Sequence, residues 1–463
     1  MSQSLRRVAG LLLVAVLLAS TAPAQTFNKL YFKGTLPNEL TSVIRTSDGG
    51  YLATANFPEG AALVKLQASG NLQWSRHYGA PTLSLRAVMV RQEGHLFAWT
   101  GYEVGAVQTT PLLAVTDLNG HMQWARRIAL DMNAEPKVLE IDPIGKGFWV
   151  GGTGWPGPGQ VVPWIARFGP KGNALWVRSF HFAQPCQLNS LVPTGDGGAI
   201  GVGQVMVDIQ GSLKQRMFAF KVDSAGQFAW AFRYDGQKVD LSVSQQWLVD
   251  ISRSGSVLYV AGVITGLCSD PLSSPCVPRP RSILAATIDE VSGDLKKVWA
   301  IYDKDGRSLW AYTVAGAPDR MAIGGRVDVD PADSEALLLS VVLEDHHVSL
   351  LQGKLYGDGA GPFTSQVEDV AWAGGFAPND QGFVLVTRQR HNLWRPAIIR
   401  TDQSLSADPT HQTCEYRVLL NPASVSTTPS KLKPHLKDHQ LSRLKIPESP
   451  TEPAIMPCTQ LLP

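Results

Sequence analysis

Four times along the chain a short apolar run is followed by a glycine turn and then, four residues beyond the glycine, by a tryptophan. The copies run Leu63-Val64-Lys65-Leu66 to Gly70 and Trp74, Leu113-Ala114-Val115-Thr116-Asp117 to Gly120 and Trp124, Ile165-Ala166-Arg167-Phe168 to Gly172 and Trp176, and Phe220-Lys221-Val222-Asp223 to Gly226 and Trp230. A further stretch, Ala300-Ile301-Tyr302-Asp303 to Gly306 and Trp310, has the same order. Successive tryptophans in the first four copies lie 50, 52 and 54 residues apart. That is about the length of one four-stranded propeller blade, commonly ~40 to 50 residues. Large aromatic side chains suit the wedge between adjacent sheets, so Trp74, Trp124, Trp176, Trp230 and Trp310 are read as structural residues of the repeat.

The upstream half of each unit completes a blade. Ser42-Val43-Ile44-Arg45, the turn Asp48-Gly49-Gly50 and Tyr51-Leu52-Ala53-Thr54 read as two strands around a hairpin, and Leu191-Val192-Pro193 to Ala199-Ile200-Gly201-Val202 repeats it around Asp196-Gly197-Gly198. Asp-Gly and Gly-Gly supply the positive backbone angles of tight hairpins. Short β-branched and aromatic runs leave no room for a long amphipathic helix. The count predicts an all-β, seven-bladed propeller with units near residues 40–80, 85–130, 137–182, 187–235, 247–314, 320–367 and 369–405. In the fifth unit two hairpins compete, one ending at Trp299 and one at Trp310. The last unit lacks a fourth strand, and Leu30-Tyr31-Phe32 near the N-terminus matches the missing piece, so that strand is expected to close the ring.

The ends differ from this pattern. Arg6 and Arg7, the apolar run Val8 to Leu18 and Ala22-Pro23-Ala24 form a signal-peptide pattern over residues 1–24, too short in its apolar part to span a bilayer. The expectation is a secreted or periplasmic protein without stable membrane insertion. After Leu420 the composition shifts to Pro, Lys, Ser and Thr, so 25–420 is read as the propeller and 421–463 as an irregular tail, extended or disordered. Export permits cysteine pairing, and the expected pairs are Cys268 with Cys276 in a Pro-rich loop and Cys414 with Cys458 around the tail, leaving Cys186 alone. With 41 basic against 39 acidic residues the net charge is +2, and the basic cluster from Lys431 to Lys445 has no interleaved aromatics, so no nucleic-acid partner is expected.

The units resemble the repeats of secreted bacterial propeller proteins built as strand, Asp-Gly-Gly turn, strand, Leu-Val-Lys-Leu and Gly-Asn-Leu-x-Trp. The resemblance covers roughly residues 28 to 405, is strongest in the first four blades, and implies fold and export more than chemistry. The Gly-x-x-x-Trp hairpin is also similar to the tryptophan-docking motif of quinoprotein propellers. Asp117 and Asp223 lie seven positions before their tryptophans, one away from that motif, and no adjacent cysteine pair is present. No quinone or other cofactor is therefore expected.

Serine-elbow, metalloprotease and P-loop patterns are missing from the sequence. The acidic turns at Asp303–Asp305 and Asp328–Asp333 supply no full calcium loop, and His346-His347 would point to opposite faces of a strand, so no metal site is expected. Ligand-binding candidates come from loop position instead. Connections between second and third strands share a face with the connections between blades, and there the sequence offers Trp155, Arg279, Arg281, Arg390, His391 and Trp394. Trp and Arg favour binding sites through a large apolar face and a planar array of donors. The leading reading is a non-enzymatic binding or scaffold protein for a polypeptide or glycan, set against a carbohydrate hydrolase or lyase and a structural surface component.

Overall fold

The computed structural model describes residues 26–405, apart from 33–38, 58–59, 80–83, 237–244, 267–279, 304, 331–332, 344–347, 357–363, 374–380, 391–393 and 403, together with backbone strands between 414 and 457. Seven four-stranded antiparallel blades stand in a ring, with inner strands beginning at Glu39, Leu85, Asn133, Cys186, Gln246, Leu309 and Thr364. Among the described residues no helix is long and apolar enough to cross a membrane. The segment 1–24, Cys268, Cys276, Cys458 and His346-His347 lie outside the described residues, and of Cys414 only the backbone is described.

Middle strands such as Tyr51–Phe57 and Gly60–Leu66 are buried along their whole length, because each blade is covered by a neighbour on both faces. Outer strands such as Leu72–Tyr78 alternate between exposed and buried positions. The core is accordingly divided into seven clusters, each shared by two adjacent blades. The cluster joining the last blade to the first combines Leu40, Val43 and Tyr51 with Val384, Val386 and Ile398. The ring closes as expected: Phe27–Phe32 runs antiparallel to Trp394–Arg400, with Phe27 opposite Arg400, and becomes the fourth strand of blade 7. Arg400, itself buried, donates from Nε to Tyr51 Oη at 3.0 Å across the same junction.

The repeat glycine and tryptophan act together, one blade apart. Gly172 has φ +74°, and a Cβ added there would sit 2.9 Å from the indole of Trp124 on the preceding blade. Gly120 and Gly226 stand in the same relation to Trp74 and Trp176. The glycine thus meets a backbone and a space requirement at once. Blade 5 departs from the sequence reading. Its fourth strand is Leu295–Asp303, carrying Trp299, and its turn glycine is Gly293, lying against Trp230 of blade 4. Trp310 is instead on the inner strand of blade 6, Leu309–Gly316, so it is not a repeat tryptophan. The Gly306-to-Trp310 spacing matches the repeat, but the intervening residues cross from one blade to the next.

Every inner strand carries a bulge at one level: two residues oppose one at Leu40/Ser42, Ala87/Met89, Pro136/Val138, Leu188/Ser190, Leu248/Asp250, Ala311/Thr313 and Val367/Asp369. A bulge takes a strand out of register and leaves backbone groups without ladder partners. Neighbouring blades supply those partners here. The Val43 N–H donates to Asp369 Oδ2 at 3.0 Å and the Val314 N–H to Asp250 Oδ2 at 2.7 Å. In the other direction Thr41 Oγ1 donates to the Ala87 carbonyl at 3.2 Å and Asn189 Nδ2 to the Leu248 carbonyl at 2.7 Å.

The segment read as an irregular tail is laid along the outside of the ring. Cys414–Glu415 pairs with blade 6, Val418–Pro422 with blade 5, Val425–Lys431 with blade 4, His435–Asp438 with blade 3, Gln440–Arg443 with blade 2, Glu448–Pro450 with blade 1, and Ala454–Pro457 with Phe27–Phe32 of blade 7. All of these pairings are antiparallel, so the tail travels around the ring against the direction in which the blades were laid down. A strand placed by its main chain needs no particular pattern of apolar and polar residues. Backbone hydrogen bonds suffice to place it, which is why composition alone gave no sign of it.

Candidate functional site

Two levels of the inner strands are chemically distinctive. The first is the channel wall at the bulges. Asp250 on blade 5 and Asp369 on blade 7 are bridged by Thr313 of blade 6, whose Oγ1 lies 3.0 Å from Asp250 Oδ2 and 3.4 Å from Asp369 Oδ1. Burial pushes the Asp250 carboxyl up to about 6 from the ordinary 3.8, and Ser190, Val314 and Thr313 hydrogen bonds only partly oppose this. Burial raises Asp369 as well, opposed by Arg91. Arg91, across the channel on blade 2, is paired with Glu140 of blade 3 at 2.5 Å. Both aspartates accept from backbone N–H groups and hydroxyls, so their oxygens are occupied in tying blades together. These hydrogen bonds hold both carboxyls in place between the blades.

A folded-state pKa above the unfolded one means that the folded chain holds an extra proton between about pH 4 and pH 6, so the Asp250 contribution to stability is greatest below 3.8 and falls as pH rises through 6. Asp250→Asn keeps one acceptor, for the Val314 N–H, and loses the one for the Ile251 N–H, a cost that does not vary with pH. Relative to its parent the variant is expected to gain roughly 2–3 kcal/mol as pH rises from about 4 to 7. Urea unfolding of both proteins across that range measures the difference. A constant difference would show that Asp250 does not titrate in this window.

The second level is the mouth, where inner strands begin and the hairpins between second and third strands stand. One residue before the bulge pair it carries Glu39, Arg86, Glu135, Gln187 and Gln366 on five blades and Trp247 and Trp310 on blades 5 and 6. The two indoles lie 6.3 Å apart between centroids, and the Tyr312 ring is stacked on Trp310 at 6.4 Å with planes 7° apart. Arg281 and Arg326 place their guanidinium carbons 3.4 Å and 4.8 Å from the Trp310 centroid. Trp310 Nε1 donates to Asp328 Oδ2 at 2.8 Å, and Arg326 Nε is 3.1 Å from Asp328 Oδ1. Burial raises the Tyr312 hydroxyl to about 12 and lowers the Arg281 guanidinium. The Arg281 carbonyl accepts from the Leu309 N–H at 2.9 Å, which fixes the blade 5 loop against blade 6.

Of the residues singled out in the sequence, Arg281 is in this cluster. Trp155 ends the second strand of blade 3, opposite Asn133, and Arg390 faces Trp394 across the blade 7 hairpin. These positions share the mouth face but stand on three separate blades, and the side chains of Arg390 and Trp394 are outside the described residues, as are Arg279 and His391 altogether. Sequence reasoning missed Trp247, Tyr312, Arg326 and Asp328. No sequence signal marks them, because the bulges that set Trp247 and Trp310 at one level, three residues before Asp250 and Thr313, are a matter of backbone register. Among the described residues no group of three or more His, Cys, Asp or Glu side chains is placed to hold a metal ion.

No protein-family model matches the chain, and no curated protein matches it. Solved structures similar to it include a Pseudomonas brassicacearum lignostilbene dioxygenase, at 12% identity and TM-score 0.43, covering 87% of this chain and 96% of that one. Others are the polysaccharide lyase Uly1, at 8% identity and TM-score 0.32, covering 68% and 89%, and the Bombyx mori GH32 β-fructofuranosidase BmSUC1, at 9% identity and TM-score 0.30, covering 92% and 99%. The fold itself is read from the strand order of the chain, which makes it a seven-bladed β-propeller.

Proposed function

We propose that the protein is a non-enzymatic binding protein, exported from the cytoplasm, that presents the mouth face of its propeller to a polypeptide or glycan. The observation that carries this reading is the cluster of Trp247, Trp310 and Tyr312 with Arg281 and Arg326 between blades 5 and 6. Partly buried aromatics beside guanidinium groups are the residue types that dominate recognition surfaces. Export rests on the pattern of residues 1–24, and the expected Cys268–Cys276 disulfide would close the loop leading to Arg281.

Glycan-array screening of the mature protein, repeated with a Trp247→Ala/Trp310→Ala double variant, tests the reading. Capture by the parent is expected to weaken about 30-fold or more in the variant, with unchanged circular dichroism and no release of product from the captured ligand. Equal capture by the two proteins moves the site elsewhere, and progressive shortening of the ligand makes the protein an enzyme.

A further inference from the structure

We propose that the patch between blades 5 and 6 holds the carboxylate of an acidic polysaccharide, with Arg281 as the group that grips it. This rests on the binding role above and narrows its ligand to one chemical class. The two arginines at Trp310 differ in what they already hold. Arg326 is engaged by Asp328 and by Gln366, whose Oε1 accepts from Nη1 at 3.4 Å. Arg281 has no ion pair or hydrogen bond to a carboxylate or amide among the described residues, while the Nε of each arginine is buried without a hydrogen bond.

A guanidinium lying 3.4 Å from an indole centroid is held in a fixed plane, which suits the two parallel hydrogen bonds of a carboxylate. Asp328, the nearby acid on blade 6, accepts from Trp310 Nε1 and is paired with Arg326. Its charge also favours the Arg281 guanidinium, but among the described residues it makes no ion pair or hydrogen bond with Arg281. An incoming oxyanion would meet the outer nitrogens of the guanidinium, which hold no hydrogen-bonded acceptor among the described residues, and would oppose the cost of burying its charge.

Two features favour a polysaccharide over a peptide. One way for an extended peptide to gain affinity is to add a strand to an open sheet edge. The outer edge of each blade is already covered by a tail strand. Sugar rings instead offer flat C–H faces and hydroxyl groups. Trp247 and Tyr312 provide apolar faces beside Arg281, while Gln366, donating to Glu368 Oε1 at 2.7 Å, adds a polar pair of the kind that meets hydroxyls.

Calorimetric titration with polygalacturonate, alginate and hyaluronate, each beside its carboxyl-esterified form, tests the proposal, with poly-glutamate as the peptide arm. At least one uronate polymer is expected to bind the parent, and esterification or Arg281→Ala to weaken it about tenfold or more. Arg281→Lys, which keeps the charge without the planar fork, is expected to bind between the two and guards against misfolding of the alanine variant. Equal binding of ester and acid, or of parent and Arg281→Ala, overturns the role of Arg281. If the Trp247→Ala/Trp310→Ala variant still loses capture in that case, the mouth remains the site. Binding of poly-glutamate instead of every uronate polymer, or of none of these ligands, overturns the polysaccharide class.

Discussion

Deleting residues 25–34 is expected to lower the melting temperature by on the order of 15 °C and to broaden the transition. Phe27–Phe32 supplies the fourth strand of blade 7 and pairs on one side with Trp394–Arg400 and on the other with Ala454–Pro457. Its loss uncovers Ile398 and Ile399, both fully buried, and opens the edge on which two elements depend. The cluster shared by blades 7 and 1 would then face water on one side, and a ring held by closure would become an open stack of blades. A variant carrying residues 25–34 after residue 405 restores the strand without the original connectivity and is expected to recover most of the stability. Calorimetric melting of the three proteins decides the matter, and superimposable curves for parent and deletion would show that the strand does not close the ring.

Removing residues 414–463 is expected to have the next largest effect, a fall on the order of 10 °C with concentration-dependent self-association. The tail strands satisfy outer-edge backbone groups on all seven blades, and without them each outer strand offers its unpaired N–H and C=O groups to other chains. Outer strands bear Arg76, Arg126, Arg178 and Arg233, whose like charges slow edge-to-edge pairing. The truncated protein should therefore fold and then associate. A synthetic peptide of residues 414–457 is expected to return it to a monomer in light scattering. A truncated protein that stays monodisperse at high concentration with an unchanged melting point would mean that the tail contributes nothing to the edges.

The parts of this fold that are legible in the sequence are those that depend on side chains. Apolar runs, Asp-Gly turns and the Gly172-to-Trp176 type of spacing predict blades because a buried strand, a tight turn and a docked indole each require particular residues. The bulges escape notice because the extra residue at that level is Thr41, Val88, Lys137, Asn189, Val249, Tyr312 or Glu368, with nothing in common but backbone geometry. The tail escapes for a related reason, since it is placed by main-chain pairing. Trp310 was visible and misplaced, because a spacing of four after Gly306 looks the same whether the chain turns within a blade or passes to the next. Arg281 was found from its loop, while its partner in the site was counted as core.

The strand at Phe27–Phe32 is made first, yet neither of its partners exists until the chain has passed Trp394 and then Ala454. The protein thus carries a test of its own completeness. A product that stops before Trp394 leaves the first strand with neither partner, and one that stops between Arg400 and Ala454 leaves it paired on one side only. The state of this one strand, beside the N-terminus, depends on how far the chain has been made.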